Sequence, residues 1–112
     1  MRDYKIRYTE AAKKDIESLR YYLEENFGKE KANKFLKNLR DSITRLGEMP
    51  QLGRSAEELS NWLVGYQFLH LPKNTIFYEV HDEERQVKVL RIYDNRRDIL
   101  ANLLEYLDKN EE

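Results

Sequence analysis

The spacing of hydrophobic residues changes twice along the chain, from alternation to helical spacing and back to alternation. Tyr4, Ile6 and Tyr8 alternate with basic residues, which predicts a half-buried strand. Thr9 follows at the position of a helix N-cap, because its hydroxyl can accept a hydrogen bond from a free backbone N–H. The pattern therefore predicts a short strand that leads directly into a helix.

Two apolar stripes at helical spacing then predict an antiparallel helical hairpin. The first helix is expected from about Glu10 to Asn26 and is interrupted at Gly28. We expect Gly47 to end the second helix and Pro50 to prevent its continuation. The stripes consist of Ala12, Ile16, Leu19 and Leu23, and of Ala32, Phe35, Leu36, Leu39, Ile43 and Leu46.

After an irregular stretch the pattern returns to strands. Residues 51–65 are irregular, with a helical turn expected at 56–59 and Trp62 expected as a local anchor. Residues 66–71, 75–80 and 87–93 read as three strands joined by polar turns. The spacing of the last apolar residues predicts a short C-terminal helix; they are Ile99, Leu103, Leu104 and Leu107.

This order of elements is typical of an α+β domain. We predict a mainly antiparallel four-stranded sheet, made of the N-terminal strand and a three-stranded meander, with the helices packed on one face. The last strand is apolar on both faces and is expected to be central and to pair with the first. We expect residues 1–112 to form a single domain, since 112 residues is an ordinary domain length.

The amino-acid composition limits the kinds of functional site that the chain can form. Cysteine is absent, which excludes disulfides, thiol nucleophiles and cysteine-based zinc sites, and with only two histidines we expect no metal and no cofactor. The formal net charge is −1, from 20 basic and 21 acidic residues, which permits only a local basic patch for nucleic acid. No apolar run approaches a membrane span of about 20 residues, so we expect a cytoplasmic protein without membrane contact.

Four segments of the chain carry a resemblance to a known family. They are Tyr4–Ile16 with the cadence T-x-x-A…D-[LI], Leu46–Arg54 with P-x-x-G-R, the strand Thr75–Val80, and Val89–Asp98, which is similar to R-V-L-x-x-R-R-D. In order, spacing and length the chain resembles the RelE/ParE superfamily of bacterial toxins, from about residue 3 to about residue 100.

The resemblance implies a toxin of a type II toxin–antitoxin system. RelE-like members cut mRNA on the ribosome without a metal, whereas ParE-like members inhibit DNA gyrase. A small antitoxin neutralises both, and we expect it to use exposed apolar and basic surfaces. We favour the ribosome-dependent mRNA endoribonuclease; the gyrase inhibitor and a degenerate, non-toxic antitoxin-binding member stay open as alternatives.

Metal-free RNA cleavage needs a base for the 2′-hydroxyl, a donor for the leaving 5′-oxygen, and cations for the phosphate. Arg54, Arg91 and Arg97 are the candidates for holding the phosphate, because a guanidinium can bind two of its oxygens. Tyr93 is a candidate proton donor or base-stacking residue, and His70 a candidate general acid or base. We expect Arg91 to share a strand face with Val89 and Tyr93.

Arg96, Lys73 and Lys34 are the candidate RNA-binding residues. Two positions depart from the superfamily pattern: Gln67 stands where many members have an arginine, and Asp94 where many have a histidine or tyrosine. The structural alternatives are an ion pair in the turn for Arg54, a salt bridge on the sheet for Arg91, and capping of the last helix by Asp98.

Overall fold

A computed structural model describes residues 3–109, and it contains each helix and strand that the sequence predicts. The helices are α1 (Glu10–Phe27), α2 (Lys29–Glu48) and α3 (Ile99–Lys109). The strands are β1 (Lys5–Tyr8), β2 (Arg54–Ser55), β3 (Gln67–His70), β4 (Asn74–His81) and β5 (Gln86–Asp94). Within residues 3–109 no helix combines the length and the apolar character needed to cross a bilayer.

The strands form one mixed sheet in the order β1-β5-β4-β3-β2. β1 runs parallel to β5, which confirms that the first strand pairs with the last, and the other neighbours are antiparallel. The sheet has five strands rather than the four predicted, because Arg54 and Ser55 pair with Phe68 and Gln67. A strand of two residues carries no alternation from which it could be recognised.

Apolar clusters cover both faces of the sheet. The hairpin face packs against α1 and α2 and includes Ile76, Tyr78, Val87 and Val89. The α3 face packs against α3 and the segment before β3; its buried residues are Ala56, Leu63, Phe77, Leu90, Tyr93 and Leu103. The expectation that all helices lie on one face is therefore wrong, because β4 and β5 direct large apolar side chains to both sides.

The start of α1 agrees with the prediction, whereas the end of α2 differs from it. The Thr9 hydroxyl accepts a hydrogen bond from the Ala12 N–H at 3.0 Å and caps α1 as predicted. α2 does not stop at Gly47 but continues to Glu48. A Cβ at Gly47 would lie 2.8 Å from the Tyr4 carbonyl oxygen, so this glycine permits close contact with the chain entering β1.

The irregular segment before β3 consists of short 3₁₀ turns, at Pro50–Leu52, Ala56–Glu58 and Asn61–Leu63. The predicted helical turn near residue 56 is therefore present. Trp62 is not the anchor, because it is 84% exposed, whereas the adjacent Leu63 is fully buried. The backbone turn directs Leu63 inward and Trp62 outward.

Candidate functional site

Residues 90–92 of β5 have no neighbouring strand on one side. Side chains at the start of α1 provide their hydrogen-bond partners there. β1 ends before it reaches residues 90–92, so their outward backbone groups need other partners. The Thr9 hydroxyl donates to the Leu90 carbonyl at 2.8 Å, and the Ile92 N–H donates to the Asp15 carboxylate at 2.8 Å. Side chains of the motif that links β1 to α1 therefore complete the edge of the sheet.

Arg91 is held tightly by the same carboxylate. Its Nε and Nη2 donate to Asp15 Oδ2 and Oδ1, both at 2.7 Å, and only 21% of the Arg91 side chain is exposed. The guanidinium carbon also lies 4.8 Å from the ring centre of Tyr93 and 5.3 Å from that of Tyr106. The hydrogen bonds that Arg91 donates to the Asp15 carboxylate raise the pKa of Arg91. One bidentate edge of the guanidinium is thus already occupied.

A bulge in β5 determines which way Arg91 faces. Phe77 lies opposite Arg91 and Tyr78 lies opposite Val89, so Leu90 is the extra residue. Val89 packs on the hairpin face and Leu90 on the α3 face. The expectation that Arg91 shares a face with Val89 and Tyr93 is right for Tyr93 and wrong for Val89. Arg91 lies opposite Phe77 on the α3 face with Tyr93, whereas the bulge interrupts the alternation of side chains and leaves Val89 on the hairpin face.

Tyr93 also belongs to the α3 face, and it is buried there. The residue is 1% exposed, and its hydroxyl donates to the Asn102 carbonyl at 3.3 Å. Burial raises the pKa of Tyr93 to about 12. In this position the ring packs in the core, and its hydroxyl is neutral near pH 7.

Asp94 and Arg96 form a closed pair directly after Tyr93. Arg96 donates to Asp94 from Nε at 3.0 Å, from Nη2 at 2.7 Å and from its backbone N–H at 2.8 Å. These bonds lower the pKa of Asp94 to about 2. The position where many superfamily members have a histidine or tyrosine therefore carries a carboxylate that is charged at neutral pH and bound to an arginine.

Arg91, Arg96 and Arg97 line one open groove beside α1, which we call the arginine groove. Its volume is about 690 Å³, and Asp15 and Asp94 also line it. The Arg97 side chain is exposed and has no ion-pair partner within residues 3–109. The structure thus brings together three of the four arginines that are named above as candidate site residues.

Arg54, the fourth, lies near the opposite edge of the sheet. Arg54, Phe68, Phe77 and Arg91 occupy successive positions in one row across four strands. Three strand spacings separate the backbones of Arg54 and Arg91, which is about 14 Å. Arg54 forms an exposed ion pair with Glu58 at 2.8 Å. This is the ion pair in the turn that the sequence analysis gives for Arg54 as the alternative to phosphate binding.

The glycine before Arg54 is required by packing. A Cβ at Gly53 would overlap the Phe68 carbonyl oxygen and lie 2.5 Å from the Tyr78 hydroxyl, to which the Gly53 N–H donates at 3.1 Å. Gln67 Oε1 is 3.0 Å from the same hydroxyl, and Gln67 Nε2 donates to Gln51. Gln67 is therefore part of the hydrogen bonding that holds the edge segment on the sheet.

His70 begins a hydrogen-bond chain across the ends of the strands. Its Nδ1 is 3.1 Å from Thr75 Oγ1, which donates to Asn95 Oδ1 at 2.6 Å, and Asn95 Nδ2 donates to the Leu71 carbonyl at 2.7 Å. Because the single Thr75 hydroxyl proton goes to Asn95, His70 Nδ1 must be the donor to Thr75. The exposed His70 ring therefore keeps Nε2 as its acceptor in the neutral form.

The two predicted RNA-binding lysines are exposed in different places. Lys73, in the β3–β4 turn, lines a second groove of about 500 Å³ between this turn and the tip of the helical hairpin, which we call the hairpin groove. Lys34 lies on α2 outside the lining of that groove, whereas Lys31 contributes to it. Of this pair, only Lys73 lies beside the arginine groove residues.

Three side chains that organise this region are not among the residues predicted from the sequence. Asp15 lies in the N-terminal motif Tyr4–Ile16. Its position directly before the buried stripe residue Ile16 could have indicated that this carboxylate faces the protein. Thr75 and Asn95 carried no local signal, because their bond joins the start of β4 to the residue after β5. In the part of the chain that the structure describes, no three His, Cys, Asp or Glu side chains gather as a metal site.

Comparison with known proteins places the chain among toxins. The family described as "ParE toxin of type II toxin-antitoxin system, parDE" matches residues 6–99. Toxin ParE1 of Mycobacterium tuberculosis, from two strains, is 29% identical over 93 residues, which cover 83% of this chain and 91% of the relative.

Solved structures share the fold. A chain of the chromosomal ParDE TA system from P. aeruginosa has a TM-score of 0.68 at 20% identity, covering 81% of this chain and 95% of its own. The toxin–antitoxin complex RelBE2 from Mycobacterium tuberculosis gives 0.64 at 20% identity, with 84% and 93% covered. Isolated E. coli RelE gives 0.55 at 15% identity, with 93% and 98% covered. The chain therefore belongs to the ParE toxin family and is a toxin of a type II toxin–antitoxin system in the RelE/ParE superfamily.

Proposed function

We propose that this toxin acts by binding and inhibiting DNA gyrase, without cutting RNA, and that a cognate antitoxin neutralises it by binding. The observation that carries the proposal is the bidentate bond between Arg91 and Asp15. It uses the arginine at the centre of the expected RNA site to join β5 to α1. The match to the ParE family over residues 6–99 supports the same reading.

The other candidate catalytic residues support it as well. RNA cleavage needs an acid, a base and cations that reach one phosphate. The Tyr93 hydroxyl is buried with a raised pKa, and Arg54 lies about 14 Å from Arg91 across the sheet. The Asp94 carboxylate beside Arg96 would repel a phosphate that entered the arginine groove.

A second candidate function, cleavage of mRNA on the ribosome, is favoured by two observations. His70 is exposed and has a defined tautomer, and Arg97 is an exposed arginine without an ion-pair partner among residues 3–109. Under this alternative His70 Nε2 would act as the general base and Arg97 would hold the phosphate. The third possibility is a member that binds its antitoxin without being toxic.

Purified toxin should be titrated into a DNA gyrase supercoiling reaction, and RNA 5′ ends should be mapped in bacteria within minutes of induction. We expect loss of supercoiling, with no new 5′ ends inside translated regions. New ends in coding regions together with unaffected gyrase would contradict the proposal. Normal growth and normal supercoiling with folded protein would leave the non-toxic alternative.

A double variant separates the two toxic mechanisms. His70→Ala with Arg97→Ala removes the two groups that the nuclease alternative would use and should leave gyrase inhibition and growth arrest intact. Loss of growth arrest in a folded double variant would instead support the nuclease. Lys5→Ala with Lys14→Ala, two exposed cations away from both grooves, is the matched control.

A further inference from the structure

Residues 56–66 form a compact loop beside the sheet, which we call the Trp62 loop. Its ends are joined by a hydrogen bond of 2.8 Å from the Ala56 N–H to the Tyr66 carbonyl. Ala56 and Leu63 fill its inner side and are fully buried in the cluster on the α3 face. Surface loops whose ends lie close together and whose own side chains pack inside them are frequently functional.

The outer side of the Trp62 loop is apolar. Leu59, Trp62 and Val64 are 36%, 84% and 62% exposed. The backbone of this turn is fixed, because the Trp62 N–H donates to Ser60 Oγ at 3.2 Å and the Leu63 N–H donates to the Ser60 carbonyl at 3.0 Å. A partner can therefore bury the indole without first ordering the loop, and tryptophan is enriched among the residues that dominate binding energy.

The helix α3 has the same arrangement of one buried and one exposed apolar residue. Leu103 lies in the same buried cluster as Leu63, and its neighbour Leu104 is exposed, as Trp62 is. Leu104 shares the solvent side of α3 with Asp108, four residues later. Both elements that cover the α3 face thus direct apolar side chains outward, and neither contributes to the lining of the arginine groove or the hairpin groove.

The unpaired charge on this surface is negative. Residues 54–66 and 99–109 contain four carboxylates and two cations, and both cations are in ion pairs, Arg54–Glu58 and Lys109–Glu105. Glu57 and Asp108 are exposed and have no ion-pair partner in the described part of the chain. Such a surface repels a phosphate backbone, whereas a basic protein surface with an apolar pocket is complementary to it.

We propose that the Trp62 loop and the outer side of α3 bind DNA gyrase, with the Trp62 indole in an apolar pocket and Glu57 and Asp108 beside cations of the enzyme. This inference rests on the proposed function and adds the surface through which the toxin contacts its target. An enzyme that holds DNA presents lysine and arginine to the phosphate backbone. Gyrase therefore offers the basic surface that an acidic and apolar partner requires.

The test is the affinity of the purified full-length toxin for purified DNA gyrase, measured by biolayer interferometry at low and high salt beside the supercoiling reaction. Trp62→Ala should weaken binding and inhibition at least tenfold at both salt concentrations, and Trp62→Phe should lose less because it keeps an aromatic ring. Glu57→Lys with Asp108→Lys should weaken binding at least tenfold at low salt and less at high salt. All these positions are exposed, and circular dichroism should report an unchanged fold.

Matched controls lie on the outer side of α1. Tyr21→Ala removes an aromatic ring that is 69% exposed and lines neither groove. Glu17→Lys with Glu25→Lys changes the net charge by the same amount as the double charge variant, also at exposed positions. Both controls should bind and inhibit gyrase as the wild type does.

Affinity for the cognate antitoxin, measured with the same variants, separates this inference from the proposed function. Trp62→Ala should bind the antitoxin normally. Full gyrase binding and inhibition by folded Trp62→Ala would overturn the inference and leave the proposed function standing. Loss of antitoxin binding with gyrase inhibition intact would assign the surface to the antitoxin and overturn the inference as well. A wild-type toxin that leaves gyrase active would reject the proposed function and, with it, the partner named here.

Discussion

Arg91 and Asp15 join the last strand to the first helix across 76 positions of sequence, through two hydrogen bonds of 2.7 Å. The same carboxylate accepts the Ile92 N–H. A single acidic side chain thus satisfies a largely buried cation and an edge amide of the sheet. The pair explains why an arginine in the last strand can be part of the fold rather than of a catalytic site.

Asp15→Asn should therefore destabilise the protein strongly. The change leaves a mostly buried guanidinium without its counter-charge, and we expect a loss of about 3 kcal/mol in the free energy of unfolding. Urea unfolding followed by circular dichroism measures it. Glu58→Gln, which breaks the exposed pair with Arg54, is the control and should cost no more than about 1 kcal/mol. Equal losses in the two variants would show that the Arg91 pair has no special role.

Gly53→Ala should destabilise the edge of the sheet. The added methyl group meets the Phe68 carbonyl and the Tyr78 hydroxyl, and overpacking of this kind costs about 1–3 kcal/mol. Adding Tyr78→Phe removes only the hydroxyl, so the double variant should not recover the stability of Tyr78→Phe alone. Full recovery would identify the hydroxyl, rather than the backbone of β3, as the obstacle.

Trp62 and Leu63 should respond in opposite ways to truncation. Trp62→Ala should change the unfolding free energy by about 0.5 kcal/mol or less, because the side chain is 84% exposed. Leu63→Ala should cost about 2–5 kcal/mol, because Leu63 is fully buried. Trp62 is the only tryptophan, so its fluorescence should already be that of a solvated indole and should change little on unfolding. A strongly blue-shifted emission in the native protein would contradict this arrangement.

Asp94 should contribute to the acid sensitivity of the fold. Its pKa falls from an ordinary 3.8 to about 2 in the folded chain, so the bonds from Arg96 stabilise the protein above about pH 4. That stabilisation is lost as the pH falls from about 4 to about 2. Asp94→Asn should accordingly be less stable than the wild type at pH 7, with the difference shrinking towards pH 3. Glu83→Gln, at an exposed turn position, should show no such convergence.

Local patterns in the sequence were enough for most of the fold. Thr9 and the two apolar stripes predicted the start of α1 and the hairpin, and three alternating segments predicted the meander. The errors arose where a distant residue decides the outcome. Gly47 lies inside α2, where the Tyr4 carbonyl leaves no room for a Cβ, and the extra residue Leu90 in β5 is set by pairing with β4. Neither contact can be recognised from the sequence around these residues.

The candidate site residues also differ in whether local sequence or a distant contact decides their position. Arg96, Arg97 and Lys73 follow strand ends, and the topology brings these ends to one side of the sheet, so the sequence could indicate them as a group. Arg54 looked equivalent, but its place in the sheet depends on the two-residue strand β2. The partner of Arg91 could not be predicted, since Asp15 reaches it only because β1 stops short of residues 90–92.

The parallel pairing of β1 with β5 also constrains the order in which the toxin can be completed during synthesis. Lys5 is paired with Gln86, and Thr9 is bonded to Leu90, 81 positions later. The helical hairpin therefore leaves the ribosome while β1 still lacks its partner, and the sheet closes only after β5 has emerged. Fragments that stop before β5 lack residues that line both grooves, so incomplete chains cannot present either groove to a binding partner.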